Sequence, residues 1–261
     1  MRLYLVILCS FFIVGLADTQ KTHPVPYQTK TYTFNLDLPP KQMWAQLITD
    51  NKENIHRLLK YIKSFMPAFI FELTPVSWIR KYNPRVAEEV QAIAELAQVN
   101  VDDVFWLNMM YELATFCTSI IIQDENNNIF HGRNLDWGLQ NYLEPLLYNG
   151  DFYRNGKLLF RANVVAGAIG FLTAEKPGAF AISINQRNDR DVNLHPDRHP
   201  IKDFWGLMKN FYQIFENHRT GVMWNARLVL ENATTFEEAF NQLASTPIIA
   251  PVYYILSRSE E

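Results

Sequence analysis

The chain reads as two stretches of different periodicity that meet near residue 117. Upstream, apolar residues recur at three-and-four spacing. Over 51–66, Ile55, Leu58, Leu59, Ile62, Phe65 and Met66 fall on one helical face, and Pro67 ends the pattern. Asn83 followed by Pro84 predicts an N-cap and a first-turn proline, opening a helix whose Val86, Val90, Ile93 and Ala97 share a face. Asn100 predicts the cap of a third helix through Phe105, Leu107 and Met110. The segment 18–116 therefore reads as helical.

Downstream the period shortens. Residues 117–123 form a short apolar run rich in isoleucine, 124–128 a polar turn, and 129–137 a second run, so the pair predicts a hairpin. Asn155-Gly156 between two β-prone runs is a stronger hairpin signal, because both residues tolerate the positive φ such a turn needs. Further strands are expected over 164–171 and 179–184, joined across Lys176-Pro177-Gly178. Helices return over 201–215 and 222–230. Thr235-Phe236-Glu237-Glu238 predicts a capped start to another, and 251–256 a last strand. The outline is helices, an antiparallel sheet, helices and one strand, a layered α+β arrangement. A sheet that ends on one strand reads as unfinished.

Composition adds the compartment. Met1-Arg2 followed by an apolar run over 3–16 and small residues at Gly15 and Ala17 predicts a secretory signal peptide over 1–17. That run is short of the roughly 20 residues a membrane span needs, and no later stretch approaches that length, so a soluble or peripheral protein is expected. The full chain carries 24 basic and 27 acidic residues, with no basic block, so nucleic acid is excluded as an expected partner. Asn232-Ala233-Thr234 is an N-glycosylation sequon suited to an exported chain.

Of the two cysteines, Cys9 falls in the signal and Cys117 stands at the head of the first β-like run. An exported chain left with one cysteine points to an intermolecular bridge, a reactive thiol or a small buried hydrophobe. The position suggests chemistry for the second. If the backbone were cut between Phe116 and Cys117, one residue would carry both a thiol and a free α-amine. The amine then serves as base for its own side chain. The cut needs no second enzyme in principle, because the thiol can attack the Phe116 carbonyl and water can hydrolyse the thioester. After a tight turn, Arg133 and Asp136 fold back beside Cys117, where a cation favours thiolate and a carboxylate orients an α-ammonium. A surface ion pair on a hairpin would show the same spacing.

Phe116-Cys117-Thr118-Ser119-Ile120 with His131-Gly132-Arg133-Asn134-Leu135-Asp136 resembles the autoprocessing site of the acid ceramidase and N-acylethanolamine acid amidase family. These are lysosomal N-terminal-nucleophile hydrolases related to bile-salt hydrolases. The likeness extends to Asn35–Pro40 with Trp44, to Phe171-Leu172-Thr173 with Lys176-Pro177-Gly178, to Glu231–Thr234 and to Ala250–Leu256. The resemblance implies an αββα sandwich preceded by a helical α-chain over 18–116, with a β-chain over 117–261. It implies that Cys117 is the nucleophile and the new N-terminus after cleavage at Phe116–Cys117, with Arg133 and Asp136 positioning the amine and the substrate carbonyl. It further implies hydrolysis of a fatty amide at a membrane or micelle surface by an α/β heterodimer, in the lysosome or outside the cell, with no metal or cofactor.

The sequence departs from the family in two places. Gln186 stands where family members carry an acid, and the family's β-chain continues past the equivalent of Leu256, into strands that supply an oxyanion-binding Asn. Loss of one oxyanion donor costs about 100- to 1,000-fold in rate. Asn185 is a candidate substitute, with Gln186 a candidate substrate contact. Missing strands would also leave apolar faces and an edge exposed. The apolar stretch over 62–79, bracketed by Lys60, Lys63, Arg80 and Lys81, suits packing or a lipid surface. Phe204, Trp205, Phe211 and Tyr212 suit a core or an acyl pocket. The rival expectation is a shortened, non-catalytic homologue that binds lipid or a partner.

Overall fold

The computed structural model describes residues 29–65, 71, 75–110, 116–136, 139–187, 212–213 and 219–258. The leader expected over 1–17 lies outside the described residues, as do Trp137, the apolar residues over 66–70 and 72–74, and the helix expected over 201–215 apart from Tyr212 and Gln213. Tyr212 is exposed.

The chain begins with strand β1 (Lys30–Asn35), followed by helices α1 (Pro40–Met43), α2 (Ala45–Phe65), α3 (Pro75–Tyr82), α4 (Pro84–Ala97) and α5 (Val101–Met109). The hairpin β2 (Phe116–Gln123) and β3 (Ile129–Asp136) follows, then α6 (Gln140–Leu143) and a 3-10 turn at Glu144–Leu146. Four strands come next: β4 (Leu147–Arg154), β5 (Lys157–Val165), β6 (Thr173–Lys176) and β7 (Phe180–Gln186). Helices α7 (Val222–Asn232) and α8 (Phe236–Ser245) precede the last described strand, β8 (Val252–Ser257).

Local chemistry sets many of these boundaries. Asn83 accepts from the Val86 N–H and Asn100 from the Asp102 N–H, so both expected caps form. Asn155 and Gly156 take φ of 51° and 73° and turn β4 into β5. Thr235 accepts from the Glu238 N–H at 3.1 Å, while the Glu238 carboxylate reaches back to the N–H of Thr234 rather than Thr235. The strand expected over 164–171 does not form as a separate element: Val164 and Val165 end β5, residues 166–171 are not strand, and Gly170 enters a close approach to α7. A Cβ on Gly170 would lie 2.4 Å from the Met223 carbonyl carbon, so a side chain there collides with backbone.

Six strands form one sheet in the order β1-β4-β5-β6-β7-β8, and β2 and β3 form a second. All neighbours are antiparallel except β1 and β4, which pair in parallel, Lys30 opposite Tyr148 and Asn35 opposite Tyr153. The segment upstream of Cys117 is therefore not wholly helical. Tyr32 and Phe34 alternate with threonines, but the run is six residues long and its partner lies far downstream, so helical periodicity around it hid the strand.

Alternation gives the large sheet two unlike faces. One presents Phe34, Phe152, Phe160, Ile182 and Ile184, all buried, to α1, α4 and α7. Phe152 stacks on Phe34 and Phe160 at 4.6 Å, and Trp44 closes against Phe34 at 5.0 Å. In the same layer Arg227 is fully buried. Its guanidinium donates to both oxygens of Glu89, to Glu231 and to the Ile169 carbonyl. Arg85 and Arg154 close on Glu231 at 2.7 and 2.6 Å, and the Trp44 indole donates to Glu89. Arg85, Glu89 and Trp44 come from upstream of Cys117 and the rest from downstream. The cluster thus ties the two segments together with buried charges.

The opposite face carries Asn149, Asp151, Arg161, Asn163 and Glu175 on β4–β6, and over β7 the hairpin rests on it. A polar cleft of about 1510 Å³ lies between that open face and the hairpin. The outer face of the hairpin leaves Ile120, Ile122 and Phe130 more than half exposed. The fold is α+β, with helices on one side of the large sheet and a second sheet on the other.

Candidate functional site

The hairpin sets the site's geometry. Cys117 is opposite Leu135, Ser119 opposite Arg133, and Phe116 opposite Asp136. Period-two alternation puts Cys117, Ser119, His131 and Arg133 on the face turned toward the large sheet. Cys117 is half-buried and makes no disulfide. Arg133 stands diagonally across from it and donates Nη2 to the Cys117 Sγ at 2.8 Å, while its Nε donates to the Ile184 carbonyl on β7 at 3.0 Å. One planar guanidinium therefore spans hairpin and sheet and fixes the sulfur against both. Asp136 ends β3 one register position beyond Cys117; its backbone place, but not its side chain, is described.

Asn185 lies on the same side of β7, and its amide group is held by Ser119 Oγ at 2.9 Å. Gln186 ends β7 opposite Val252, half-buried. Asn232 is exposed at the end of α7, and Phe116 keeps its place as the first residue of β2.

Sequence reasoning missed a polar chain beneath the cysteine. His131 Nε2 lies 2.8 Å from Ser183 Oγ and Nδ1 2.7 Å from Ser257 Oγ. Ser183 Oγ lies 2.7 Å from Ser119 Oγ. Burial alone pushes the His131 pKa below the ordinary histidine value. Alternation from Cys117 and Arg133 could have put Ser119 and His131 on the shared face; nothing local announces Ser183 or Ser257.

An apolar cavity of about 680 Å³ adjoins the site, lined by Leu58 and Ile62 of α2, Met110 after α5, Arg133 and Leu135 of β3, and Met223 of α7. Leu135 is the register partner of Cys117. The cavity falls in the size range of small-molecule sites, with Arg133 and Glu144 as the charged groups among mainly apolar walls. Among the described residues, no group of three or more His, Cys, Asp or Glu side chains is arranged to hold a metal, and no helix is long and apolar enough to cross a membrane.

The hairpin thus sets a cysteine and an arginine beside a largely apolar cavity. Residues 117–260 match the model of linear amide C–N hydrolases of the choloylglycine hydrolase family, more than half of the chain, so the chain belongs to that family. Residues 27–97 match a model described as the beta subunit of N-acylethanolamine-hydrolyzing acid amidase. That description applies "beta" to the segment upstream of Cys117, for which the resemblance implies an α-chain. Acid ceramidase of Bos taurus is 32% identical over 258 residues, covering 91% of this chain and 61% of the relative. Acid ceramidase of Homo sapiens is 34% identical over 254 residues, covering 88% and 60%. The chain thus spans about three-fifths of the length of these relatives. A solved Caenorhabditis elegans N-acylethanolamine-hydrolyzing acid amidase ortholog aligns with a TM-score of 0.45 and 29% identity over 55% of each chain.

Proposed function

We propose that this chain is a cysteine amidohydrolase that cuts itself between Phe116 and Cys117 and then hydrolyses fatty-acid amides, N-acylethanolamines or ceramides, to a fatty acid and an amine. The observation that carries the reading is the Arg133 guanidinium on the Cys117 sulfur at 2.8 Å, beside the apolar cavity.

In the processing step, the Cys117 sulfur attacks the Phe116 carbonyl carbon. The C–N bond breaks, the nitrogen becomes the Cys117 α-amine, and water hydrolyses the thioester to a Phe116 carboxylate. The freed amine now takes the thiol proton. The sulfur attacks the amide carbonyl of the substrate, the amine leaves with that proton, and water releases the fatty acid from the second thioester. Arg133 supplies a positive partner to the sulfur in both rounds. Asp136 is assigned to orient the new α-ammonium, Asn185 to the oxyanion and Gln186 to the substrate. The cavity walls come from both segments, so the cut product functions as a heterodimer.

The acid ceramidase relatives and the acid amidase model support the two substrate candidates equally. Export to the lysosome or beyond, with glycosylation at Asn232, fits the leader over 1–17. A second reading, a non-catalytic homologue that binds lipid or a partner, is favoured by Gln186 and by the exposed Ile120, Ile122 and Phe130.

The deciding experiment is intact-mass analysis and N-terminal sequencing before and after incubation at acid pH, followed by assay of fatty-acid release from both amide classes. The expected result is a new terminus at Cys117, absent in Cys117→Ala, with release only from the cut protein. A folded chain that stays whole at every pH favours the non-catalytic reading.

A further inference from the structure

The apolar cavity beside the hairpin has a smaller neighbour. A second cavity, of about 140 Å³, is lined by Trp78 of α3, Val86 and Val90 of α4, Phe105 of α5, and Trp224 of α7. The two spaces are adjacent. Leu107 of α5 lines the larger and Phe105 the smaller, and Ala168 lines the larger while Ile169 lines the smaller. Among the described residues, Gly170 and Met223 alone line both, so these two form the wall between them.

The backbone of that wall is fixed. A Cβ on Gly170 would lie 2.4 Å from the Met223 carbonyl carbon, and the Phe171 N–H donates to the Met223 carbonyl oxygen at 3.2 Å. Gly170 contributes no side chain. What parts the two spaces is therefore the Met223 side chain, which is 8% exposed. Methionine is unbranched and pliable, and it fills gaps that stiffer side chains leave. Cutting it back to a methyl group removes the partition and leaves the backbone in place.

The smaller cavity suits hydrocarbon. Its walls are mainly aromatic and aliphatic. Asn108 is committed to the Val104 and Gly167 carbonyls and to the Ile169 N–H, and Arg219 donates to the Ile248 carbonyl. An apolar cavity of about 150 Å³ accepts benzene, so the space behind Met223 matches a stretch of chain of roughly six carbons.

We propose that Met223 is a specificity-determining residue that sets the upper length of the acyl chain: a chain that fills the larger cavity ends against the Met223 side chain, and the space behind it is closed. This rests on the reading of the larger cavity as the acyl site of a fatty-amide hydrolase. Longer chains must displace Met223 from its packing, so they gain nothing from their added carbons. The residue selects the acyl chain and not the amine.

The test measures binding rather than turnover. Dissociation constants are taken by calorimetry for saturated N-acylethanolamines, from octanoyl to stearoyl, on the uncut Cys117→Ala protein. Affinity should rise with chain length and then level off. In Cys117→Ala with Met223→Ala the levelling should move to longer chains, and the preference for the longest over the shortest should rise at least about tenfold, the low end for a methylene in an apolar pocket. Adding Val86→Phe refills the smaller cavity and should return the break to its first position. Met223→Val, a milder truncation, should move the break the same way if Met223→Ala does not fold.

The Trp224 indole reads the smaller cavity directly, because its Nε1 is buried without a hydrogen-bond partner. Its N–H signal, assigned by its loss in Trp224→Phe, should move with stearoyl ethanolamide in Met223→Ala and stay in place while Met223 is intact. A break that does not move in a folded truncation, or a Trp224 signal that responds with Met223 intact, overturns the inference. If no chain of any length binds, the inference and the acyl reading of the larger cavity fall together. If the break appears and moves in a protein that never cuts itself, the partition stands and the hydrolase reading fails alone.

Discussion

On the helix-covered face of the large sheet, four ionised side chains, Arg85, Glu89, Arg154 and Glu231, close around a fully buried Arg227. On the other face the hairpin meets the sheet through three hydroxyls, an imidazole, an amide and one guanidinium. The first contact is rigid because any change strands a charge away from water, which costs several kcal/mol per ion. The second contact can rearrange, because a hydroxyl both donates and accepts and can exchange those roles by rotating its proton. Stability is concentrated where the two segments are tied together. The proposed chemistry sits where bonds can change direction.

The comparison breaks most sharply at Arg227. Arg227→Met leaves Glu89 and Glu231 buried without their central cation and should lower unfolding stability by about 3–5 kcal/mol, read from the urea midpoint. On the hairpin side, Arg133→Lys should leave that midpoint within about 1 kcal/mol. It should slow self-cleavage about 100-fold, because a single ammonium cannot span Ile184 and the sulfur together. If Arg133→Lys unfolds the protein while Arg227→Met merely slows it, the division of labour is reversed.

Acid should separate the two faces further. Burial opposes ionisation of Glu231, but Arg227, Arg85 and Arg154 outweigh it and hold the carboxyl below the usual range. A depressed carboxylate pKa gives stability that is present above the unfolded value of roughly 4.3 and is lost only as pH falls through the lower folded value. The cluster therefore survives mild acid. His131 has the same sign at a higher pH. Its folded pKa is depressed, so the unfolded chain binds the proton first, and stability declines as pH falls below about 6.5. Denaturation from pH 7.5 to pH 5 should show wild type losing stability relative to His131→Gln. The smallest effect is expected at the α8 cap: Thr235→Ala should cost about 1 kcal/mol and leave the chemistry untouched.

The parts legible in the sequence are those whose cause is local. The Asn83-Pro84 start, the Asn155-Gly156 turn and the β2–β3 hairpin each depend on residues within one turn of each other. Arg133 could be placed near Cys117 because 16 residues separate them across one tight turn. Long-range partners were invisible. His131 binds serines 52 and 126 residues away, and Arg227 binds a glutamate 138 residues back. The lone arginine among Trp224, Ala226, Leu228 and Val229 did carry a signal, since a charge on an apolar helix face demands a buried partner. The strand β1 was missed because its pairing is parallel and distant.

That edge strand alters the molecularity of unfolding. Lys30–Asn35 pairs with β4 across the proposed cut, so cleavage after Phe116 would leave one sheet woven from two polypeptides. Before the cut, loss of structure is a unimolecular event, and the covalent tether makes the return of β1 to its edge independent of protein concentration. After it, loss of structure becomes dissociation. The melting temperature should then rise with protein concentration for the processed form and stay constant for the uncut one. A strand contributed from upstream would thus make maturation a one-way passage: a chain that folds alone becomes a pair that, once separated in dilute solution, does not readily find itself again.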